Sequence, residues 1–266
     1  MPVEFEFEIE VVGQERFHAL DKLVMKHAFD IHNTLGRFCD ERVYQDELAY
    51  RCAADGMDAQ REAHIRVSHA DFTKSYYLDL LVEHGIIYEL KTVVTLTASH
   101  QSQLINYLLL ASLHHGKLLN FRPESVQARF VSTRLQRKDR SVYRIDDHDW
   151  VCDGDSDGQL RAIFVDLLAD WGAFLDVNLY REALLHFTAG SNGGVHPVEI
   201  RIGDRTIGTH PICRLRNGAA WQISSIRGSL TGYESHLRRF FRHTQLERMH
   251  WINLNHRVIT LKTLTQ

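Results

Sequence analysis

The segment Tyr76-Tyr-Leu-Asp79-Leu-Leu-Val-Glu-His-Gly85-Ile-Ile-Tyr-Glu89-Leu-Lys91 constrains this chain more than any other. Two apolar strands meet at a polar turn, and each carries charge in its interior. A charge in a buried strand is costly unless it is paired or bound to a cation. Register decides what the charges face. A three-residue loop, Glu83-His84-Gly85, with Gly85 in the left-handed bulge position, sets Val82 against Ile86, Leu80 against Tyr88 and Leu78 against Leu90. That face is wholly apolar. On the other face Leu81 meets Ile87, Asp79 meets Glu89 and Tyr77 meets Lys91. Facing residues have Cβ atoms about 4.5–5.5 Å apart, and two carboxylates that close repel unless a cation lies between them. A two-residue turn would put Asp79 and Glu89 on opposite faces. The pattern therefore predicts a divalent-cation site with a lysine beside it. Oxygen ligands suit Mg²⁺ or Mn²⁺. Such a cation can polarise a phosphodiester oxygen and acidify a bound water, while Lys91 orients the water or stabilises charge on the phosphate. A structural charge cluster is the competing reading of D…ExK alone.

The flanking pattern gives this hairpin a setting. Residues 3 to 11 alternate, Val3, Phe5, Phe7, Ile9 and Val11 against Glu4, Glu6, Glu8 and Glu10, which predicts a half-buried strand with an acidic outer face. Over 15–35, Phe17, Leu20, Leu23, Val24, Ala28 and Ile31 recur at helical spacing, and Gly36 can end that helix. A second helix is expected over 40–54, with Gly56 just beyond it. Strands follow over 63–69, 75–82 and 86–94. Thr97 then caps a helix that runs to about His115 and is stopped by Gly116. Strands over 117–121 and 126–132 complete the order α-α-β-β-β-α-β-β, a mixed α+β unit.

Asp79 followed by Glu89-Leu-Lys91 resembles the signature of the PD-(D/E)XK nuclease superfamily, whose restriction-endonuclease-like core is a central mixed sheet flanked by helices. Leu78 stands at the proline of that name. Gln103 and Tyr107 form Q-x-x-x-Y on the next helix, as in the RecB-like branch, on one face with His100. Glu41-Arg-Val-Tyr44, together with Tyr77-Leu-Asp79, Gln103–Tyr107 and Leu118-Leu-Asn-Phe121, is similar to the GxxExxY protein family. Phe38 stands where that family's first glycine is expected, with Gly36 two residues earlier. The resemblance covers residues 27 to 131. It implies a metal-dependent nuclease that hydrolyses phosphodiester bonds, in DNA ahead of RNA. Asp79, Glu89, Lys91 and Gln103 would serve catalysis, Asp79, Glu89 and Glu41 would hold Mg²⁺ or Mn²⁺, and Tyr107 and His100 would face the nucleic acid. The alternative is a nucleic-acid-binding or protein-interaction module on the same fold with little or no catalysis.

A formal net charge of −3 argues against a sequence-independent nucleic-acid coater and leaves room for a local basic patch. Arg134, Arg137 and Lys138, after the last core strand, offer one for phosphate contact. Residues 145–158 are dense in aspartate. The chain therefore divides into an N-terminal strand and helix start (1–26), a nuclease-like core (27–133), a linker (134–158) and a C-terminal α+β region (159–266). That last region has an apolar helical segment over 160–187, a glycine-rich loop at 190–194, strands at 197–202, 205–214 and 219–226, a helix at 232–248 and a strand at 250–263. Its role is open between substrate clamp, lid and dimerisation unit. Arg238, Arg239 and Arg242 on the late helix adjoin Phe240 and Phe241, so a docked amphipathic helix outweighs a nucleic-acid contact there. Asp153-Gly-Asp-Ser-Asp157-Gly158 begins like an EF-hand loop, but Phe164 stands at the twelfth position and the stretch reads as an acidic turn. Trp171, Trp221 and Trp251 read as core. No internal repeat stands out. No run approaches the ~18 apolar residues of a membrane span, and the acidic start lacks signal-peptide features. A cytoplasmic protein is expected, with Cys39, Cys52, Cys152 and Cys213 as reduced thiols. The N-terminal strand could pair with a second subunit in a homodimer.

Overall fold

The computed structural model describes residues 3–189 and 193–266, in two compact units, Met1–Arg137 and Lys138–Gln266. Unit 1 contains β1 (Val3–Phe5), α1 (Gln14–Leu35), α2 (Glu41–Ala54), β2 (Ala59–His69), β3 (Phe72–Val82), β4 (Ile86–Lys91), α3 (Ala98–Ala111), β5 (His115–Asn120) and β6 (Gln127–Ser132). The strands lie in chain order across one sheet. Every neighbouring pair is antiparallel except β4 with β5, which the crossover helix α3 makes parallel. α1 and α2 bury Phe17, Val24, Ala28, Ile31, Tyr44 and Leu48 against the apolar face of the hairpin, Leu80, Val82, Ile86, Tyr88 and Leu90.

The three-residue hairpin register holds near the turn, with Val82 paired to Ile86, Leu81 to Ile87 and Leu80 to Tyr88, but the pairs expected beyond it, Asp79–Glu89, Leu78–Leu90 and Tyr77–Lys91, do not form. Its turn geometry differs from expectation. Glu83 (φ 49°) and His84 (φ 57°) take the left-handed conformation, and Gly85 does not. Gly85 is needed for a different reason: a Cβ there would lie 2.1 Å from Glu10 O and 2.5 Å from Val12 Cγ2. The N-terminal segment crosses the turn at this point, where the Glu10 N–H donates to His84 O (3.0 Å). That crossing ends the strand expected over 3–11. Only residues 3–5 pair, with β2, and Val11 is exposed while Val12 is buried. Leu23 is also exposed: it lies off the buried arc of α1, which carries His27 and His32 beside Phe17, Val24, Ala28 and Ile31. α3 stops at Ser112 (φ 55°) rather than at Gly116. Gly116 lies inside β5, where a Cβ would come within 2.9 Å of Ile87 O and 3.1 Å of Leu104, so it lets α3 approach the sheet.

Unit 2 follows a single helical turn, α4 (Arg137–Arg140). It contains β7 (Arg144–Asp149), α5 (Asp155–Trp171), α6 (Val177–Thr188), β8 (Gly194–Ile202), β9 (Arg205–Arg214), β10 (Ala220–Ser224), α7 (Leu230–Arg242), β11 (Arg248–Asn255) and β12 (Val258–Thr265). The sheet order is β7-β12-β11-β10-β9-β8. Residues 134–158 are therefore no linker. β7 is an edge strand of the sheet, and Asp157 is fully buried, accepting from Asn217 Nδ2 (2.8 Å) and ion-paired to Arg248 (3.2 Å). The 160–187 segment is two helices, parted by Gly172 at φ 75° and restarted by Asp176, whose side chain accepts from Asn178 N–H. The helix expected over 232–248 ends at Arg242, and the single strand expected over 250–263 is a hairpin that turns at His256 (φ 53°). Of the loop expected at 190–194, residues 190–192 lie outside the described residues.

Unit 2 also repeats unit 1. α5-α6-β8-β9-β10-α7-β11-β12 follows the order of α1-α2-β2-β3-β4-α3-β5-β6, and each corresponding strand pair has the same sense, including the one parallel pair, β10 with β11. Details coincide as well. Gly36 (φ 72°) and Gly172 (φ 75°) end the first helix of each pair, and their N–H groups donate to His32 O and Leu168 O, 2.8 Å each. Tyr44 Oη donates to Gly36 O (2.8 Å), and Tyr180 Oη donates to Gly172 O. Asn120 donates to Val93 O and accepts from its N–H, as Asn253 does with Ile226. The numbering offset is 136 across the helix pairs and 133 across the later strands.

A carboxylate cluster where two strands part

Asp79 sits where β3 loses both neighbours. Its pairing with β4 ends at Leu80–Tyr88, and its pairing with β2 skips from Arg61–Leu80 to Ala63–Leu78. Into that gap the Asp79 side chain turns, and Oδ2 accepts the Leu90 N–H at 2.7 Å, in place of a strand carbonyl. Glu89 and Lys91 follow on β4, both on the face opposite the α1–α2 core. Glu41 reaches the same place from the first turn of α2, where a carboxylate suits the helix dipole.

The four groups converge around one ammonium. Lys91 Nζ is 2.8 Å from Glu89 Oε1, 3.5 Å from Asp79 Oδ2 and 3.6 Å from Glu41 Oε1, and it donates to Leu90 O at 2.7 Å. Three carboxylates thus face a single cation. Glu89 is 1% exposed, and its Oε2 has no hydrogen-bond partner. Burial, with the Asp79 charge adding to it, pushes the Glu89 carboxyl up to about 8. Burial likewise raises Asp79 to about 6, against the opposing pull of Lys91 and the Leu90 N–H. For Lys91, burial favours the neutral amine, but the carboxylates, Glu89 foremost, outweigh it and raise its pKa. The ammonium therefore keeps its proton.

Among the described residues no group of three His, Cys, Asp or Glu side chains is arranged to hold a metal ion. The expected ligand trio of Glu41, Asp79 and Glu89 is drawn instead around Lys91. The donor set still fits a hard divalent cation: it is all oxygen, it carries excess negative charge, and Glu89 Oε2 is a buried acceptor left without a donor.

The remaining predicted site residues lie on α3 and beyond the end of β6. Gln103 Nε2 donates to Tyr107 Oη (3.0 Å). Tyr107 is buried, and burial with the nearby Glu89 charge raises its hydroxyl to about 12. Its ring is thus not displayed for a base, as a nucleic-acid contact would require; it backs Glu89. His100 is the helix cap, its Nδ1 accepting from the Thr97 N–H (3.0 Å). Arg134, Arg137 and Lys138 are exposed beyond the end of β6. Sequence reasoning missed Glu62, a left-handed residue (φ 49°) at the point where the β2–β3 pairing skips, whose charge also raises Asp79. No alternation or motif marks that residue in the sequence.

The family model of the PD-(D/E)XK nuclease superfamily matches residues 18–132, the span from early α1 to the end of β6. No curated protein sequence matches the chain. The matched span has the mixed α+β fold of that superfamily, a class of metal-dependent nucleases that act on nucleic acid. No helix among the described residues is long and apolar enough to cross a membrane.

Proposed function

We propose that unit 1 is an Mg²⁺- or Mn²⁺-dependent nuclease that hydrolyses phosphodiester bonds, in DNA ahead of RNA. The observation that carries this reading is the convergence of Glu41, Asp79 and Glu89 on Lys91 at a gap in the sheet, with one Glu89 oxygen buried and unpaired. Structural ion pairs seldom leave such an acceptor open. Asp79 and Glu89 would hold the cation, with Glu41 joining directly or through water. The cation supplies Lewis acidity at the phosphate and acidifies water. Lys91, proton retained, orients the attacking water or stabilises charge on the phosphate. Gln103 fixes the Tyr107 hydroxyl behind Glu89. Resemblance to the GxxExxY family and to the Q-x-x-x-Y branch supports the same assignment, and the exposed Arg134, Arg137 and Lys138 suit phosphate contact.

Labelled linear and circular DNA, single- and double-stranded, and RNA should be offered to the protein with Mg²⁺, Mn²⁺ or EDTA. Cleavage should require the metal and fall by roughly 10³-fold or more in Glu89→Gln. Cleavage of linear substrates alone would define an exonuclease. No cleavage of DNA or RNA by folded, Mn²⁺-supplied protein would sink the reading.

A further inference from the structure

Superimposing the two repeats by their shared hydrogen bonds assigns a counterpart to each member of the carboxylate cluster. Lys91 pairs with Asn120 as Ser224 pairs with Asn253, so Lys91 corresponds to Ser224 and Glu89 to Gln222. The β3–β4 ladder ends at Leu80–Tyr88 and the β9–β10 ladder at Cys213–Trp221, which makes Ile212 the counterpart of Asp79. The Tyr44–Tyr180 equivalence sets Val177 at Glu41. None of the four charges survives. The space is closed by neutral groups that satisfy one another. Gln222 Nε2 donates to Tyr233 Oη (2.6 Å), Trp251 Nε1 donates to Ser224 Oγ (2.8 Å), and Ser224 Oγ donates to Asn253 Oδ1 (2.8 Å).

The rim around that closed centre has changed in the opposite sense. In unit 1 the Asn120 clamp ties the segment after β4 to the segment after β5, which present Val94 and Glu124. The Asn253 clamp ties the corresponding segments of unit 2, and at those two positions stand Arg227 and Arg257. Both are exposed, and neither has an ion-pair partner among the described residues. His256 shares the rim: burial lowers its pKa, and the Arg227 charge adds to that effect. The bias extends through the later half of the unit, where residues 194–266 hold eleven Arg and Lys against four Asp and Glu.

We infer that unit 2 is a catalytically silent copy of the nuclease fold that grips the sugar–phosphate backbone of nucleic acid at the Arg227–Arg257 rim. Only the choice of ligand rests on the nuclease reading of unit 1. The contact is with phosphate, so it is sequence-independent and salt-sensitive.

The binding measurement is metal-free, and cleavage is then followed with Mg²⁺ or Mn²⁺ added. Anisotropy of end-labelled single- and double-stranded DNA should be measured with the full chain in EDTA, over a range of salt, for wild type, Arg227→Glu/Arg257→Glu and Glu89→Gln. The double variant should bind at least about 10-fold more weakly at low salt, and the slope of log affinity against log salt should shrink by about 2. Glu89→Gln should bind as wild type while its metal-dependent cleavage falls by roughly 10³-fold or more. Turnover of the double variant at saturating substrate should match wild type, with the loss confined to KM. Unchanged affinity and slope in a folded double variant would overturn the inference while leaving the nuclease reading intact, and so would absence of metal-free binding in the wild type. Binding that depends on the two arginines without any cleavage would retain the inference and remove the nuclease reading.

Discussion

At the end of β4 and at the end of β10, equivalent backbones carry opposite solutions to the same problem. Both strands finish in a buried polar place beside a parallel neighbour, and both use an asparagine to pin the chain that follows. Unit 1 fills the place with three carboxylates and one ammonium, and leaves Glu89 Oε2 without a donor. Unit 2 fills it with an amide, a hydroxyl, an indole and a phenol that hydrogen-bond in sequence. Buried charge is expensive and buried satisfied polarity is nearly neutral. The difference therefore marks which unit bears a cost that stability alone would have removed. A charged centre that persists in one copy, while the other shows how readily the fold does without it, reads as functional.

The comparison can be broken by moving charge between the copies. Ile212→Asp restores in unit 2 the carboxylate that Asp79 provides in unit 1, with no lysine to meet it. It should destabilise unit 2 by about 3 kcal/mol at pH 8 and less at pH 5, where the acid is neutral. All four tryptophans, Trp150, Trp171, Trp221 and Trp251, lie in unit 2, so denaturant unfolding followed by tryptophan fluorescence reads that unit alone. A neutral result would mean that the closed centre tolerates charge, and the contrast between the units would lose its energetic meaning.

The second effect belongs to unit 1 and to pH. Asp79 and Glu89 have folded pKa values of about 6 and about 8, above the ordinary values of 3.8 and 4.5. Between those limits the folded state binds more protons than the unfolded one. Their contribution is thus fully present below about pH 4 and is lost as pH rises through 6 and then 8. Metal-free protein should become steadily less stable in unit 1 between pH 5 and pH 8.5, seen as faster amide exchange in β3 and β4. Asp79→Asn/Glu89→Gln should flatten that slope. A slope that survives both substitutions would place its origin outside the cluster.

Much of unit 1 could be read from the chain because its pattern is strict. The hairpin sets one wholly apolar face, Leu80, Val82, Ile86 and Tyr88, against a face that carries Asp79 and Glu89, and only one loop length keeps those two carboxylates together. The strand ends were harder, because they depend on crossings that no local pattern records. Val11 continues the alternation of residues 3–9, yet the approach of the Glu10 backbone to Gly85 ends the strand first. The repeat was hidden for a related reason. Its shared elements are few and scattered, Gly36 and Gly172, Tyr44 and Tyr180, Asn120 and Asn253, while the apolar positions between them interchange freely and the letters of the carboxylate cluster are replaced. In unit 2 the aspartates around Asp157 suggested a solvated turn; burial against Asn217 and Arg248 is a tertiary fact with no sequence signature.

Smaller effects sharpen the comparison at the joint between the paired helices. Gly36 (φ 72°, ψ −153°) and Gly172 (φ 75°, ψ −173°) share a conformation almost reserved to glycine, so alanine at either should cost about 1 kcal/mol for the backbone alone. Their surroundings differ. A Cβ at Gly36 meets nothing within 4 Å, whereas at Gly172 it would lie 2.8–2.9 Å from Arg140 Cβ, C and O. Gly172→Ala should therefore cost about 2 kcal/mol in all, and Gly36→Ala about half that. Equal costs would mean that the Arg140 segment yields, and that the two joints are packed alike.

The smallest effect tests whether the joints are one device. Tyr44 Oη donates to Gly36 O and accepts from the Cys39 N–H (3.2 Å), tying the helix end to the start of the next helix. Tyr180 Oη donates to Gly172 O, and the Leu175 N–H hydrogen-bonds to it. Phenylalanine at either position keeps the ring and removes only the bridge, leaving a carbonyl and an N–H to find other partners. Each substitution should cost about 1 kcal/mol. The two sites lie in separate units and share no partner, so the double variant should show the sum. Tryptophan fluorescence would register Tyr180→Phe, and exchange at the α1–α2 amides would register Tyr44→Phe. Costs that match within about 0.5 kcal/mol would show that one joint has been kept through the divergence of two sites. A cost confined to one unit would show that the shared hydrogen bond outlived its role in the other, and the joint could no longer be used to align the carboxylate cluster with its neutral counterpart.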